Sequence, residues 1–151
     1  MVLIREAVVS DAEAIVDFQL KMATETEDLK LDRSVVTDGV AAVFNDNLKG
    51  AYYVAESDGL VVGSLLTTYE WSDWRNGRVL WIQSVFVDEK YRRRGIYRRL
   101  YEHIQTLVKQ KETDFRGIRL YVDKTNSHAQ QVYAKLGMVN HHYEMYEWMM
   151  E

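Results

Sequence analysis

The chain contains no cysteine and no proline. Without cysteine there can be no disulfide, no thiolate metal site and no cysteine nucleophile. That fits an intracellular protein, and the expected compartment is the cytoplasm. Without proline there is no proline-rich linker, and no low-complexity tract or internal repeat takes its place. There is no apolar run long enough to span a bilayer, and the N-terminus lacks the basic-then-apolar shape of a secretory signal. A net charge of -4 leaves no general basic surface, which argues against a nucleic-acid binder. His128, His141 and His142 have no fitting set of partner ligands, so no metal is expected.

What is present is an ordinary globular composition over 151 residues, with 47% hydrophobic and 28% charged residues. A chain of this length buries roughly 70% of its unfolded surface, enough for one well-cored domain over residues 1–151. Met1 to Glu6 reads as a first strand. Ser10 with Glu13 reads as a capping box opening a helix whose apolar face is Ala12, Ile15, Phe18 and Met22. Val36, Val40, Val43 and Phe44 mark a second helix. Gly50 to Glu56 and Leu60 to Tyr69 read as strands joined by Ser57-Asp58-Gly59. Val79 to Val87 is a further strand. Ile96, Leu100, Ile104, Leu107 and Val108 line a third helix, and Ile118, Leu120 and Val122 alternate as a strand does. A short helix opens at Asn126 and stops at Gly137. Strands at Val139–Tyr143 and Met145–Met150 complete the expected order βααβββαβαββ. This is an α+β fold with a mixed, mostly antiparallel twisted sheet flanked by helices.

The local basic spot on this acidic chain is Arg92-Arg93-Arg94-Gly95-Ile96-Tyr97-Arg98-Arg99. It follows the apolar strand ending Val85-Phe86-Val87 and precedes a helix. Backbone N–H groups at a helix start lack intrahelical partners and carry the positive end of the dipole, so they attract an anion. Gly95 lets the main chain come close to it. The arginines offer charge-assisted bonds to phosphate oxygens, with Arg98 and Arg99 equally readable as surface.

The turn and the later segment Asn126-Ser127-His128-Ala129-Gln130-Gln131-Val132-Tyr133-Ala134-Lys135-Leu136-Gly137-Met138 together resemble the GNAT superfamily of acyl-CoA-dependent N-acetyltransferases. The first matches the pattern Arg/Gln-x-x-Gly-x-Gly/Ala at Arg92 to Tyr97, except that Tyr97 replaces a small residue. The second matches Asn-x-x-Ala-x-x-x-Tyr-x-x-x-Gly-Phe/Met throughout. With the element order, the resemblance spans essentially the whole chain.

The resemblance implies acetyl-CoA as co-substrate, without a metal. Val85, Phe86 and Val87 would meet the pantetheine arm, and Arg92, Arg93, Arg94, Gly95, Ile96, Tyr97 and Arg98 the pyrophosphate. Asn126 would contact the cofactor near the pantetheine or position substrate, and it also reads as a helix cap. Tyr133 would protonate the leaving thiolate, although its apolar helix face also reads as core. In the spermidine/spermine branch a Glu stands on the strand before the turn, where this chain has Gln83, which cannot take a proton at neutral pH. Glu25, Glu27, Glu70 and Asp73 are the alternative carboxylates near substrate loops. The expected reaction is acetylation of a primary amine on a small molecule. The alternatives are a protein N-terminal or lysine acetyltransferase, and an inactive acyl-CoA-binding regulatory domain. A homodimer is also expected, with the apolar run Tyr143 to Met150 available to it.

Overall fold

The computed structural model describes residues 1–151. The backbone forms two compact units, Met1–Arg119 and Leu120–Glu151.

The first unit is built on a five-stranded sheet, β1 (Val2–Glu6), β2 (Ala51–Ser57), β3 (Leu60–Ser72), β4 (Gly77–Val87) and β5 (Phe115–Arg119), in that spatial order. The first four strands are antiparallel neighbours, and β5 joins β4 in parallel. Sequence explains the connections. Between β2 and β3, Asp58 and Gly59 both have positive φ (50° and 81°), the signature of a two-residue I′ hairpin. The parallel step from β4 to β5 needs a crossover, supplied by α3 (Ile96–Lys109).

Helices α1 (Ala12–Glu27) and α2 (Arg33–Asn45) cover one face of the sheet. Phe18 of α1 packs on Phe86 of β4 with ring centroids 5.1 Å apart, and Phe44 of α2 stacks on Tyr52 of β2 at 5.7 Å. Helix α3 lies on the other face, where His103 meets Tyr53 at 5.4 Å. Tyr52 and Tyr53 are adjacent on one strand, so their side chains point to opposite faces. The i, i+4, i+8 stripe of Ile96, Leu100 and Ile104 is almost wholly buried. Each such side chain contributes roughly 1.5–3 kcal/mol of transfer free energy.

The start of α1 differs from expectation. Asp11, not Ser10, organises it, closing a 3₁₀ turn over Val9–Asp11. Its carboxylate accepts from the Val8 N–H (2.8 Å) and from two nitrogens of Arg5 (2.8 and 3.1 Å). A carboxylate reaches both donors and neutralises a guanidinium, which a serine hydroxyl cannot do.

In the second unit, Asn126 caps α4 (Ser127–Lys135), its side chain accepting from Ala129 N–H at 3.1 Å. Gly137 follows with φ 87°, as a glycine stop requires. The α+β class stands as expected, but Val139–Tyr143 and Met145–Met150 form no strands. A strand exists through its ladder, and these residues belong to no ladder of the sheet.

Candidate active site

Strand β4 is long and its partner β5 is short. Pairing with β5 covers only Arg78 to Trp81, whereas pairing with β3 continues to Val87. From Ile82 to Val87, β4 therefore has a neighbour on one side and an open edge on the other. The direction of its backbone groups follows from one bond just beyond the strand. Asp88 N–H donates to the Val62 carbonyl of β3 at 2.8 Å. By antiparallel alternation, Phe86 also turns its backbone toward β3, and Val85 and Val87 turn theirs to the open edge. The Val87 carbonyl is met there by Arg92 Nε at 2.8 Å. Phe86 itself is committed to the core, with its ring against Phe18.

A β-bulge marks the point where β4 leaves β5. Leu66 pairs with Ser84 and Thr67 with Ile82, so Gln83 is the extra residue. The bulge presents Gln83 to solvent, and its Nε2 donates to Thr68 Oγ1 at 2.8 Å. Beside it, Glu70 of β3 is half-buried and doubly held. One carboxylate oxygen accepts from Trp81 Nε1 at 3.1 Å and the other from Arg119. Thr68, Glu70, Trp81, Gln83 and Arg119 thus form one polar cluster at the splay. Arg119 was not legible as a member, because nothing in an alternating strand indicates a partner on β3.

Past β4 the chain makes a tight turn into α3. Arg93 and Gly95 both adopt the left-handed conformation, φ 63° and 75°. For Arg93 this is an uncommon, locally strained state; for Gly95 it explains the glycine. A Cβ at Gly95 would meet nothing within 4 Å, so the space beside this residue at the start of α3 is open. A helix start facing open space suits a phosphate.

The arginines divide by task. Arg92 is tied into the protein, with Nε on Val87, Nη2 on Glu25 Oε2 (2.7 Å) and its guanidinium 5.3 Å from the Phe86 ring. Arg94 lies over the Tyr91 ring at 5.2 Å, and Arg98 pairs with Glu102 on its own helix at 2.7 Å. Arg93 is exposed. Ile96 is buried and anchors α3, so only its backbone is available, while Tyr97 is half-buried in the first turn. Glu25 therefore belongs to the turn, and Glu27 stands exposed at the end of α1.

In the second unit Tyr133 is half-buried on α4, and burial pushes its phenol up to about 12. Asn126 is exposed, with its side-chain oxygen engaged as the helix cap.

An open β4 edge running into a glycine turn and a helix start is an arrangement that suits an extended, phosphate-bearing ligand. The acetyltransferase (GNAT) family model matches residues 17–138, and the chain belongs to that family; it is an acyltransferase. The chain is 44% identical to a possible acetyltransferase from Clostridium difficile 630, with a TM-score of 0.93 over 100% of this chain and 99% of that one. The fold is shared with the aminoglycoside acetyltransferase meta-AAC0020 from an uncultured soil metagenomic sample (17% identity, TM-score 0.80, 99% and 97% covered). It is also shared with the aminoglycoside N-acetyltransferase AAC(6')-Iy in complex with CoA (15%, 0.79, 99% and 95%). No curated protein sequence matches the chain.

Proposed function

We propose that the protein transfers the acetyl group of acetyl-CoA to a primary amine of a small molecule, within one acyl-CoA N-acyltransferase domain spanning residues 1–151. The observation that carries this reading is the open edge of β4 from Ile82 to Val87, which leads into the turn at Arg92–Gly95. An extended pantetheine arm would complete the ladder at Val85 and Val87, as an added strand does. The pyrophosphate would take the N–H groups of Arg94 to Tyr97 and the charges of Arg93 and Arg94, while Arg98 stays paired with Glu102 on its own helix. Arg92 would act from behind, holding the turn in place. That one protein of similar fold was solved with CoA supports the donor.

In the reaction the neutral amine nitrogen attacks the thioester carbon, the C–N bond forms, the C–S bond breaks, and the proton that the nitrogen sheds passes through solvent to replace the one Tyr133 gives to sulfur. An N–H group on the open edge would polarise the carbonyl. Tyr133 is the general acid for the departing thiolate. With its phenol near 12 and a thiol near ~8.5, full transfer in water would be uphill by about 5 kcal/mol. Donation by Tyr133 therefore requires either transfer in concert with C–S cleavage or local tuning of the phenol beside the bound cofactor.

The amine must also shed a proton, at a cost of roughly 4–5 kcal/mol for a free alkylamine at pH 7. Gln83 Oε1 would hold the amine or a water but cannot accept the proton. Both oxygens of Glu70 are already engaged, so Glu70 serves to attract and orient a cationic acceptor. Glu25 and Glu27 add negative charge at the end of α1, although Glu25 is neutralised by Arg92. The acceptor thus arrives with the neutral amine already present in solution or formed by a water relay. The same lack of a side-chain base favours, as the second reading, an acyl-CoA-binding domain without turnover. We place the protein in the cytoplasm and assign it a homodimer. No helix is long and apolar enough to cross a membrane.

Release of free thiol from acetyl-CoA against a panel of amines, paired with a thermal shift by the cofactor, tests this. Amine-dependent thiol release supports the enzyme. Stabilisation without release supports the binding domain, and neither signal would reject both.

A further inference from the structure

We infer that Ser84 Oγ, held by Gln19 of α1, accepts a hydrogen bond from the attacking amine and receives its proton, a role that rests on the acetyl-transfer reading above. The bulge in β4 sets this up. Leu66 pairs with Ser84 and Thr67 with Ile82, and paired residues of neighbouring strands share a face of the sheet. Leu66 and Thr67 are consecutive, so they face opposite ways. Ser84 and Ile82 therefore face opposite ways too, although residues two apart in a regular strand share a face. The extra residue reverses the alternation and leaves Gln83 and Ser84 on the same side, toward α1. The side chains agree. Gln83 Nε2 donates to Thr68 Oγ1 at 2.8 Å, and Gln19 Nε2 donates to Ser84 Oγ at 3.2 Å.

The sheet consequently has two different faces beside the open edge of β4. Toward α1 it presents Gln83, Ser84 and Thr68, with Glu70 one step beyond. The other face at this level is Ile82, Val85 and Leu65, all apolar. A pantetheine arm added to the edge would hold its thioester near the plane of the sheet, so the nitrogen must come from one face or the other. A polar nitrogen is matched toward α1 and would lose its hydrogen bonds on the apolar face. Ser84 directly precedes Val85, whose backbone groups lie on the open edge, and one residue of strand spans ~3.4 Å. The Ser84 oxygen has two acceptor positions. Gln19 fills one and fixes the side chain, and the other is left for an N–H of the amine. As the C–N bond forms, the nitrogen becomes positive. Its proton passes to Ser84 Oγ while the hydroxyl proton leaves to water, so the serine is unchanged and the proton ends in solvent. Gln19 touches no reactant and is a positioning residue.

Ser84→Ala, Ser84→Thr, Gln19→Leu and the double variant Gln19→Leu with Ser84→Ala are compared with the native protein in two assays. One is steady-state transfer to the amine that the thiol-release panel ranks first. The other is calorimetric binding of that same amine to protein saturated with CoA, where no transfer occurs. Ser84→Ala should lower kcat/KM for the amine by about tenfold or more, the size of one lost hydrogen bond to a group that gains charge. It should weaken amine binding in the CoA complex and leave the KM for acetyl-CoA within about twofold, because it removes a contact to the acceptor only. Ser84→Thr keeps the hydroxyl and should recover most of the activity. Gln19→Leu should cost less than Ser84→Ala, and the double variant should be no worse than Ser84→Ala, since Gln19 acts only through Ser84. Additive losses, an Ser84→Ala variant as fast as the native protein, or one whose two KM values rise together would overturn the assignment. A native protein that acetylates no amine would instead reject the acetyl-transfer reading, and this role with it.

Discussion

Arg92 Nε lies 2.8 Å from the Val87 carbonyl, on the edge of β4 that faces away from β3. The same guanidinium reaches Glu25 at the end of α1, so one side chain fastens the turn to the strand and to a helix. Among the arginines, this makes Arg92 the one whose loss disturbs the shape of the turn, not only its charge. Arg92→Ala should raise the KM for acetyl-CoA by about tenfold, equivalent to roughly 1.4 kcal/mol. Arg98→Ala, which loses only an exposed i,i+4 pair, should change it less than twofold. Steady-state kinetics with varied acetyl-CoA would show the contrast, and equal effects would reject the distinction.

Gly95→Ala probes the same turn from the backbone. Its φ of 75° disfavours any Cβ, at a cost of about 1–2 kcal/mol in stability. The added methyl would also occupy the open space before α3. Affinity for acetyl-CoA should therefore fall by more than the loss of stability explains, as calorimetry alongside denaturant unfolding would reveal.

The pH profile distinguishes solution deprotonation of the amine from a base on the protein. Without a base, kcat/KM should rise with unit slope until the acceptor amine itself titrates, with no inflection near the carboxylate or histidine range. Tyr133 must remain protonated to donate, and its phenol is raised to about 12, so no falling limb is expected below pH ~10. Tyr133→Phe should lower kcat by about 10²-fold while leaving acetyl-CoA affinity nearly unchanged. A falling limb near neutrality, or equal loss of kcat and affinity, would contradict the assignment.

Gln83→Glu places a carboxylate on the bulge, beside Thr68. If Gln83 faces the acceptor amine, the variant should be faster than the native enzyme at pH 6–7 and should gain an inflection in the acid range. A slower enzyme with an unshifted profile would place Gln83 outside the acceptor site.

Asp11 tests the fold. The Arg5 guanidinium and the Val8 N–H hold its carboxyl below the usual range, against the opposing effect of burial. Its native value lies below its unfolded value, so this contribution to stability is complete above the unfolded value and is lost as pH falls through the native one. Asp11→Asn should cost about 1.5–3 kcal/mol at pH 7, by weakening its charge-assisted bonds to Arg5, which keeps Glu56 as a second partner, and should flatten the acid side of the stability curve. Urea titrations between pH 3 and 7 would measure both effects.

What the sequence made legible follows from what is local. The Asp58-Gly59 turn, the α3 stripe of Ile96, Leu100 and Ile104, and the Asn126 cap each depend on residues a few positions apart. The strand–glycine–helix order at Val87 to Ile96 is local too, so the turn itself could be located before its geometry was known. The Glu70 cluster was less legible because it is built across strands. Glu70 meets Arg119 and Trp81 only through register, and the role of Gln83 depends on a bulge that alternation cannot reveal. The expected C-terminal strands failed for a related reason. Their apolar pattern is strand-like, but a pattern does not supply the edge on which a strand forms.

The central claim is acetyl transfer to an amine, and mass spectrometry tests it most directly. The protein is incubated with acetyl-CoA labelled in the acetyl group and with a panel of cationic small amines, and each amine is then weighed. The account predicts a labelled acetyl group on the nitrogen of at least one amine, formed in step with free CoA and reduced in proportion by Tyr133→Phe. CoA released with no labelled amine, or label on an amine at a rate that Tyr133→Phe does not alter, would contradict it.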